Sequence, residues 1–299
     1  MDTGEKIVNE KWQQKISSFS FMALLALLLY FMANSLMGSF GLLLSLFTLI
    51  LFTSFHNFIP TNLVLRFLGA ESISYNQAPG LYRTAHELSL KAELPEMPGL
   101  FLIRDGKVNG FTMGKSNDAG IVLHSGLLNL LNQSELEGVL AHEIAHIKNE
   151  DVEIMSLARN LTTLISLFSR YGLLIFFLTL PLQILGQAYI PLPLFLAIFF
   201  GPIVSQFVWL ALSRTREYNA DITAVDLAGH PVGLMNALQK IEYSKYGFFD
   251  LLFGRRRMPQ ADYLSTHPDT ESRIKKLESV LPPQKRIIIP EIDFIPGGF

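Results

Sequence analysis

Two long apolar regions constrain this chain most, because each is about twice as long as one membrane-spanning helix. The first runs from about Phe19 to Phe55 and the second from about Leu161 to Leu212. A helix crosses a bilayer with ~20 apolar residues, so each region has room for two spans. The composition agrees, since 49% of the 299 residues are hydrophobic and only 17% are charged, which is unusual for a soluble protein.

Small and polar residues divide each apolar region near its middle. Ala33-Asn34-Ser35 and Gly38-Ser39 interrupt the first, and the stretch from Gly186 to Pro191 interrupts the second. The sequence therefore predicts four transmembrane helices in two hairpins. A cleaved signal peptide is disfavoured, because the first apolar run is too long and no A-x-A site follows it.

The positions of lysine and arginine predict which side of the membrane each segment occupies. The short loops inside the hairpins contain neither, whereas basic residues flank the outer ends: Lys6, Lys11, Lys15, Arg66, Arg214 and Arg216. By the positive-inside rule, both termini and the region between the hairpins face the cytoplasm. We expect the two arginines after the second hairpin to act as interfacial anchors.

The net charge argues against nucleic acid as a partner, and the lack of cysteine excludes thiolate ligands and disulfides. A formal charge of −2 gives no broad attraction to nucleic acid or to an anionic surface, and we expect no nucleic acid to bind. The chain contains no cysteine, so no thiolate can bind a metal and no disulfide can form.

The segment His142-Glu143-Ile144-Ala145-His146 carries the strongest chemical signal. Two histidines four residues apart point from one side of an α-helix, close enough to bind one Zn²⁺. The glutamate between them lies next to that edge, where it can take a proton from water on the metal. The pattern is typical of metal-assisted hydrolysis.

The residues around this segment favour a helix. The stretch from Ser134 to Glu137 has the pattern of a capping box that begins one. An apolar stripe follows at helical spacing, away from both histidines: Leu136, Leu140, Ile144 and Ile147. A surface helix with two histidines at chance spacing does not account for this context.

Shorter elements are predicted before this helix. The stretch from Pro79 to Ala92 predicts a helix, and Leu100 to Ile103 predicts a strand. Asp105-Gly106 predicts a hairpin turn, which leads into a return strand from Val108 to Gly114. A third strand is predicted from Ile121 to His124. A small sheet beside a zinc helix could hold a substrate segment as an added strand.

A catalytic zinc site usually has three protein ligands, so a third ligand must come from elsewhere. Glu217 and Asp221 lie four residues apart on one helix face, directly after the second apolar region. One carboxylate can bind the metal while the other orients a histidine. Other carboxylates stay open as alternatives, and so do the remaining histidines: His56, His86, His124, His230 and His267.

Several segments in a fixed order resemble the HtpX family of membrane zinc metallopeptidases. They are Asn109–Gly114, Ser125–Leu128, Glu135–His146, Ser213–Asp221, Ser265–Pro268 and Arg273–Ile274. The resemblance extends to about Glu278, with one membrane hairpin before the histidine segment and one after it.

The resemblance implies one Zn²⁺ per chain, bound by His142, His146 and Glu217. It implies that Glu143 is the catalytic base and that Asp221 contacts the metal ligands without binding the metal itself.

The resemblance also implies substrate contacts. His267 and Arg273 would approach the site and contact the transition state or the substrate. The strand that contains Asn109 and Phe111 would receive the substrate backbone. The family's usual alanine after the asparagine is Gly110 here, a change that leaves the backbone hydrogen bonds available.

These observations predict a mainly α-helical integral membrane protein with a small β-sheet, and the resemblance implies an α+β zincin-like catalytic domain of the gluzincin type. We expect a cytoplasmic tail (1–16), a membrane hairpin (17–57), the first half of the peptidase domain (58–160), a second hairpin (161–212), the second half (213–280) and an extended tail (281–299). The resemblance implies a zinc endopeptidase of the cytoplasmic (inner) membrane that cleaves membrane proteins or unfolded polypeptides in quality control.

Two alternatives stay open at this point. A CaaX prenyl-protein endopeptidase carries the same zinc pattern, but it generally has more spans around a large chamber. A non-catalytic membrane scaffold would hold a structural metal in a closed site, whereas Glu143 and the lack of an evident fourth ligand favour an open one.

Overall fold

Helices make up most of this protein, and a four-stranded sheet accompanies them. The structure, a computed structural model, describes residues 3–58, 61–244 and 270–280. The elements are α1 (Thr3–Phe58), α2 (Thr61–Phe67), β1 (Glu71–Ser72), α3 (Pro79–Lys91), β2 (Gly99–Ile103), β3 (Gly110–Met113), β4 (Gly120–His124), α4 (Ser125–Leu130), α5 (Gln133–Lys148), α6 (Asp151–Ile184), α7 (Leu192–Ala228), α8 (Val232–Ser244) and α9 (Thr270–Val280). The predicted class, mainly α with a small sheet, is confirmed. His267 and the tail after Leu281 lie outside the described residues.

Within the described ranges, three helices are long and apolar enough to cross a membrane: Val8–Leu51 within α1, and all of α6 and α7. The predicted break in the second apolar region is confirmed, because α6 ends at Ile184 and α7 begins at Leu192. Both helices extend past the apolar region. α6 begins already at Asp151 and α7 continues to Ala228, so each carries a polar end into the peptidase part.

The first apolar region changes direction where the sequence predicts a break. Gly38 has non-helical backbone angles (φ 56°, ψ −146°) inside α1, and a positive φ favours glycine. A Cβ built on Gly41 would lie 2.3 Å from the carbonyl oxygen of Ala33. Residues eight apart in a straight helix are ~12 Å apart along its axis, so the two halves of α1 fold towards each other at this point.

The order of strands in the sheet is β1-β2-β4-β3. β2 pairs with β4 in parallel, and β3 pairs with β4 antiparallel. The predicted hairpin at Asp105-Gly106 is therefore wrong, because β4 lies between the two strands that the hairpin would join. All five residues of β4 are buried, and a strand buried along its whole length is most stable at a central position. β3 is left at the edge of the sheet.

The helix predicted around the paired histidines is α5, but it begins at a different cap. Asn132, not Ser134, is the N-cap. Its side chain accepts a hydrogen bond from Glu135 N at 3.0 Å, and the Glu135 carboxylate accepts one from Asn132 N at 2.9 Å. Asparagine caps as well as serine does, and here the matching glutamate stands three residues on. The predicted apolar stripe is confirmed, since its members are buried or packed against the core: Leu136, Leu140, Ile144 and Ile147.

α8 packs directly on α5 at two glycines. A Cβ on Gly138 would lie 2.4 Å from the backbone nitrogen of Leu234, and one on Gly233 would lie 2.2 Å from the carbonyl oxygen of Ser134. Only glycine permits so close an approach of the two backbones. The contact fixes the position of α5 at Gly138, one turn before His142.

Gly138→Ala should therefore lower the thermal unfolding midpoint of the detergent-solubilised protein. Overpacking at such a contact costs ~1–3 kcal/mol, because a backbone atom must shift. Gly80→Ala is the matched control, since a Cβ there meets nothing within 4 Å and alanine favours the helix. Equal midpoints for the two variants would contradict the close contact.

Candidate metal centre

Three side chains from two helices meet where α5 lies against α7. His142 and His146 belong to α5, and Glu217 belongs to α7. The Nε2 atoms of the two histidines are 3.1 Å apart. The Glu217 carboxylate is 3.6 Å from Nε2 of His142 through Oε2 and 3.7 Å from Nε2 of His146 through Oε1. Candidate ligand atoms of all three lie within 4.8 Å of one another, so the group can hold a metal ion.

The other ring nitrogen of each histidine faces a buried aspartate. Nδ1 of His146 is 2.7 Å from Oδ2 of Asp151, and Nδ1 of His142 is 3.0 Å from Oδ1 of Asp221. A proton on Nδ1 makes each ring a donor to its aspartate and leaves the lone pair of Nε2 for a metal. The aspartates therefore set both the orientation and the tautomer of the histidines.

Two buried arginines hold these aspartates. Arg216 donates to Asp151 and, at 2.7 Å, to the carbonyl oxygen of Asn149. Arg273 donates to Asp221 from Nε at 2.8 Å and from Nη2 at 2.6 Å. Arg216 is only 5% exposed, so the prediction that it is an interfacial anchor is wrong. A buried carboxylate needs a charged partner, and Asp151 at the start of α6 takes Arg216 for this purpose.

The buried charges around the cluster do not balance. Four carboxylates are buried there: Glu143, Asp151, Glu217 and Asp221. Two guanidiniums are buried with them: Arg216 and Arg273. Among the described residues, four negative against two positive charges leave two negative charges when the histidines are neutral. A divalent cation would compensate them.

Protons compete with a cation for this site. Burial lowers the pKa of His142, but hydrogen bonds to Asp221 and Glu217 outweigh it and raise that pKa to about 10. Burial also opposes the charged form of His146, yet its hydrogen bond to Asp151 raises the pKa above the usual value. Metal binding must displace such protons.

The separations within the cluster fit a tetrahedral metal site. Ligand atoms on a tetrahedron with ~2.0–2.1 Å bonds lie about 3.3–3.4 Å apart. The three measured N···N and N···O separations, 3.1, 3.6 and 3.7 Å, lie on both sides of that value. In the described part of the chain no fourth metal-binding side chain joins the group, so these residues offer three ligands and leave a tetrahedral position for water or substrate.

Glu143 lies beside the cluster and is held by β3. The Thr112 hydroxyl lies 2.7 Å from Oε2 of Glu143 and 3.1 Å from its carbonyl oxygen. Glu143 is only 6% exposed. Thr112 therefore donates to the carboxylate and restricts its rotation.

A cleft of about 320 Å³ opens beside the cluster. One wall is the edge strand, from Asn109 to Thr112, and another is formed by the start of α6 with Val152 and Met155. Asn109 and Phe111, predicted to contact the substrate, both line this cleft. A polypeptide could reach both Glu143 and the candidate metal ligands from here.

The structure separates the other candidate histidines from the cluster. His124 is bound through Nδ1 to Asp105 at 2.7 Å, and His86 and His230 are exposed. Among the described residues none of these three joins the metal-ligand group. His267 and the side chain of His56 lie outside the described residues.

Arg273 reaches the cluster from α9, and Nη1 lies 3.5 Å from Oε2 of Glu217. Its short hydrogen bonds go to Asp221, which ties α9 to α7.

Asp151, Arg216 and Thr112 were not predicted from the sequence as parts of the site. Asp151 follows His146 by five residues and belongs to the next helix, after a left-handed residue at Glu150 (φ 55°). That turn brings its carboxylate back to the histidine. The sequence offers only a weak signal for it, since an aspartate in the first turn of a helix is common.

Residues 76–281 match the sequence profile of Peptidase family M48. The chain belongs to this family. Two relatives named Protease HtpX homolog, from Streptococcus pyogenes serotype M28 (strain MGAS6180) and serotype M5 (strain Manfredo), are each 30% identical over 296 residues. Each alignment covers 92% of this chain and 99% of the relative. The predicted resemblance to HtpX is therefore confirmed.

Membership of M48 makes this chain a metallopeptidase, and hence a hydrolase. The alternative of a non-catalytic scaffold is wrong. The names of the relatives also favour the HtpX type over a prenyl-protein endopeptidase.

Asp151→Asn should strongly destabilise the protein, because Arg216 and His146 would both lose a buried anion. Removing one partner of a buried ion pair costs ~3–5 kcal/mol. Denaturant unfolding of the chelator-treated protein in detergent measures this loss without any contribution from metal.

Asp226→Asn is the matched control on α7. Asp226 pairs with Lys11 at 3.1 Å while its side chain is 55% exposed, and such pairs contribute ~0–1 kcal/mol. A similarly small loss for Asp151→Asn would show that the buried pair does not support the site.

Proposed function

We propose that this M48 peptidase is a zinc-dependent endopeptidase of the cytoplasmic membrane. In this proposal His142, His146 and Glu217 bind one zinc ion, and Glu143 is the general base. The substrates are membrane proteins and unfolded polypeptides, cleaved in protein quality control. One observation carries the proposal: two histidine Nε2 atoms and a carboxylate lie 3.1–3.7 Å apart beside a further carboxylate in an open cleft.

The donor set favours zinc. Two imidazoles and one carboxylate, with no thiolate available, are typical of catalytic zinc sites. A bound zinc ion would polarise the scissile carbonyl and increase the acidity of water. Asp151 and Asp221 increase the basicity of the histidines through their Nδ1 hydrogen bonds.

Glu143 is proposed to take a proton from the attacking water and to pass it to the leaving amine. The hydroxyl of Thr112, 2.7 Å from Oε2, holds the carboxylate in place before the substrate arrives. A group positioned in advance needs little reorganisation during the reaction. General base catalysis of this kind contributes ~10²–10⁴-fold to the rate.

β3 is proposed to bind the substrate backbone as an added strand. It is an edge strand, and its residues line the cleft. A peptide paired along Asn109–Thr112 passes Glu143, because Thr112 of the same strand contacts that carboxylate. Backbone pairing is largely independent of side chains, which suits an enzyme for many unfolded sequences. Phe111 and His267 are proposed as further substrate contacts.

Arg273 is proposed to act through Asp221 rather than on the substrate. Two hydrogen bonds join its guanidinium to that carboxylate, and Asp221 in turn faces His142. The arginine thus positions a ligand.

The site is proposed to lie close to the membrane surface. Glu217 follows Leu212, the end of the apolar part of α7, by five residues. At ~1.5 Å per residue this is about 8 Å along the helix. α6 likewise begins at Asp151, ten residues before the apolar region. Polypeptides at the membrane surface are therefore the natural substrates in this proposal.

The proposed topology has four spans, with the two halves of α1 as the first hairpin. Both ends of this hairpin contact the peptidase part. Lys11 pairs with Asp226 at 3.1 Å, and the backbone N–H of Thr61 donates to Asp118 at 3.2 Å. Fifty residues separate Lys11 from Thr61, and at ~1.5 Å per residue a straight helix would hold them about 75 Å apart. The distribution of basic residues supports a cytoplasmic position of the peptidase part in this proposal.

Reporter fusions test this topology. A reporter inserted next to Gly38 or between Gly186 and Pro191 should report an external position, and one fused after Phe299 should report the cytoplasm, because lysine and arginine flank only the other ends. A cytoplasmic signal from the Gly38 site would remove the first hairpin from the proposal.

Glu143→Gln should abolish peptide hydrolysis while the protein retains about one zinc ion per chain. Loss of the base should lower turnover ~10²–10⁴-fold, and the amide keeps the size of the side chain. The measurement combines cleavage of a fluorescently labelled unfolded protein in detergent with metal analysis of the same sample.

Glu137→Gln, the same exchange on the same helix, is the control and should retain full turnover. Near-normal turnover of Glu143→Gln would refute the proposed base. Loss of zinc from Glu143→Gln would instead mean that Glu143 is a metal ligand.

A further inference from the structure

A polar cavity of about 260 Å³ lies between α6 and α7, apart from the metal centre. α6 lines it with one helix face: Arg159, Thr162, Thr163, Ser166 and Arg170. α7 contributes Gln206 and Trp209. Both helices are long and apolar enough to cross a membrane. Charged residues are costly in such helices and usually serve a function.

The cavity is cationic. Its lining includes two arginines and no carboxylate. Both arginines are exposed, and neither forms an ion pair within the described part of the chain. The Arg159 guanidinium lies 4.9 Å from the centre of the Trp209 ring, so the indole supports it from one side. The cavity therefore has positive charge that the described residues do not neutralise.

The strongest hydrogen-bonding groups left at the cavity are donors. The hydroxyls of Thr162 and Ser166 already donate to backbone carbonyls one turn back, at 3.0 and 2.9 Å. The indole N–H of Trp209 is buried and has no acceptor among the described residues. Together with the two guanidiniums it favours a ligand with several anionic oxygens.

An apolar strip continues from the cavity along the same faces of both helices. Its side chains follow Arg170 on α6 and precede Gln206 on α7 at helical spacing, and each is more than half exposed: Leu174, Phe177, Phe199 and Ile203. A polar, cationic end and an apolar strip together match the amphipathic shape of a phospholipid.

We propose that this cavity binds the phosphodiester of an anionic glycerophospholipid, whose acyl chains lie along the apolar strip. Arg159 and Arg170 pair with the phosphate oxygens, and the Trp209 indole N–H donates to the same headgroup. Arg159 follows Asp151 by eight residues on α6, which is ~12 Å along the helix. The lipid thus binds to α6, the helix whose Asp151 orients His146.

A membrane helix of a substrate is the less suitable occupant. An acidic residue on such a helix would satisfy the charge, but a helix is ~10 Å wide with its side chains. A cavity of about 260 Å³ accepts a headgroup and not a helix.

The test uses the full chain in mixed micelles that contain equal amounts of phosphatidylglycerol and phosphatidylcholine. Native mass spectrometry counts the lipids retained by wild type, by the double variant Arg159→Gln/Arg170→Gln and by Arg66→Gln. Arg66 is an exposed arginine on α2 outside the cavity, so its variant controls for loss of one surface charge.

Wild type and Arg66→Gln should retain phosphatidylglycerol with a preference of about thirtyfold, as expected for two arginines at a membrane surface. The double variant should show almost no preference. Equal retention of both lipids by wild type would overturn the proposal, and so would an unchanged preference in the double variant. If the double variant does not fold, Trp209→Phe replaces it, and undiminished retention there overturns the proposal as well.

Tryptophan fluorescence identifies the ligand independently. Trp12 and Trp209 are the two tryptophans of the chain, so Trp12→Phe leaves Trp209 as the sole emitter. Short-chain phosphatidylglycerol should shift its emission, whereas phosphatidylcholine and inorganic phosphate should not. An equal shift with inorganic phosphate would mean a site for free anions. If the double variant no longer cleaves a membrane substrate but keeps its lipid preference, the cavity is a groove for substrates. Either result would refute the lipid site.

Discussion

The pairing of buried charges behind the two histidines determines the geometry of the whole site. Each imidazole meets an aspartate through Nδ1, and each aspartate meets a buried arginine. An unpaired charge at such depth costs several kcal/mol, so these pairs must form together. They join α5, α6, α7 and α9, because each of these helices contributes one member or more. The position of both Nε2 atoms follows from this frame.

The same helices connect the site to the membrane. α6 carries Asp151 at its first residue and the two cavity arginines farther along. α7 carries Trp209 before the arginine and glutamate of the metal centre. A shift of α6 against α7 would therefore change both the cavity and the orientation of His146. These two helices thus link the proposed lipid cavity to the metal centre.

Local patterns allowed part of this structure to be predicted. His142 and His146 are neighbours because a single helix places them so, and the breaks at Gly38 and Gly186 depend on nearby residues. These features need no knowledge of the rest of the chain. The strands β2 and β4 and the helix α3 were predicted for the same reason.

Features that depend on long-range pairing could not be predicted. The Asp105-Gly106 turn suggested a hairpin, but the burial of β4 decided the strand order. Arg216 follows the apolar part of α7, as an interfacial anchor would, and only the fold reveals that Asp151 lies beside it. Asn132 and Ser134 both fit a capping box, and the packing of α5 on α8 favours the former. In each case the sequence offers two acceptable local solutions, and tertiary contacts select one.

The proposed zinc site has two histidines, one glutamate and an open position. X-ray absorption at the zinc edge, on the purified full chain with one equivalent of zinc, tests it most directly because it counts imidazole ligands. We expect two imidazoles, with oxygen ligands completing four-coordinate zinc at ~2.0–2.2 Å. Glu217→Ala should bind zinc more weakly. Three or more imidazoles would contradict the proposed site, since a histidine outside the cluster, such as His267 or His56, would then hold the metal in place of Glu217.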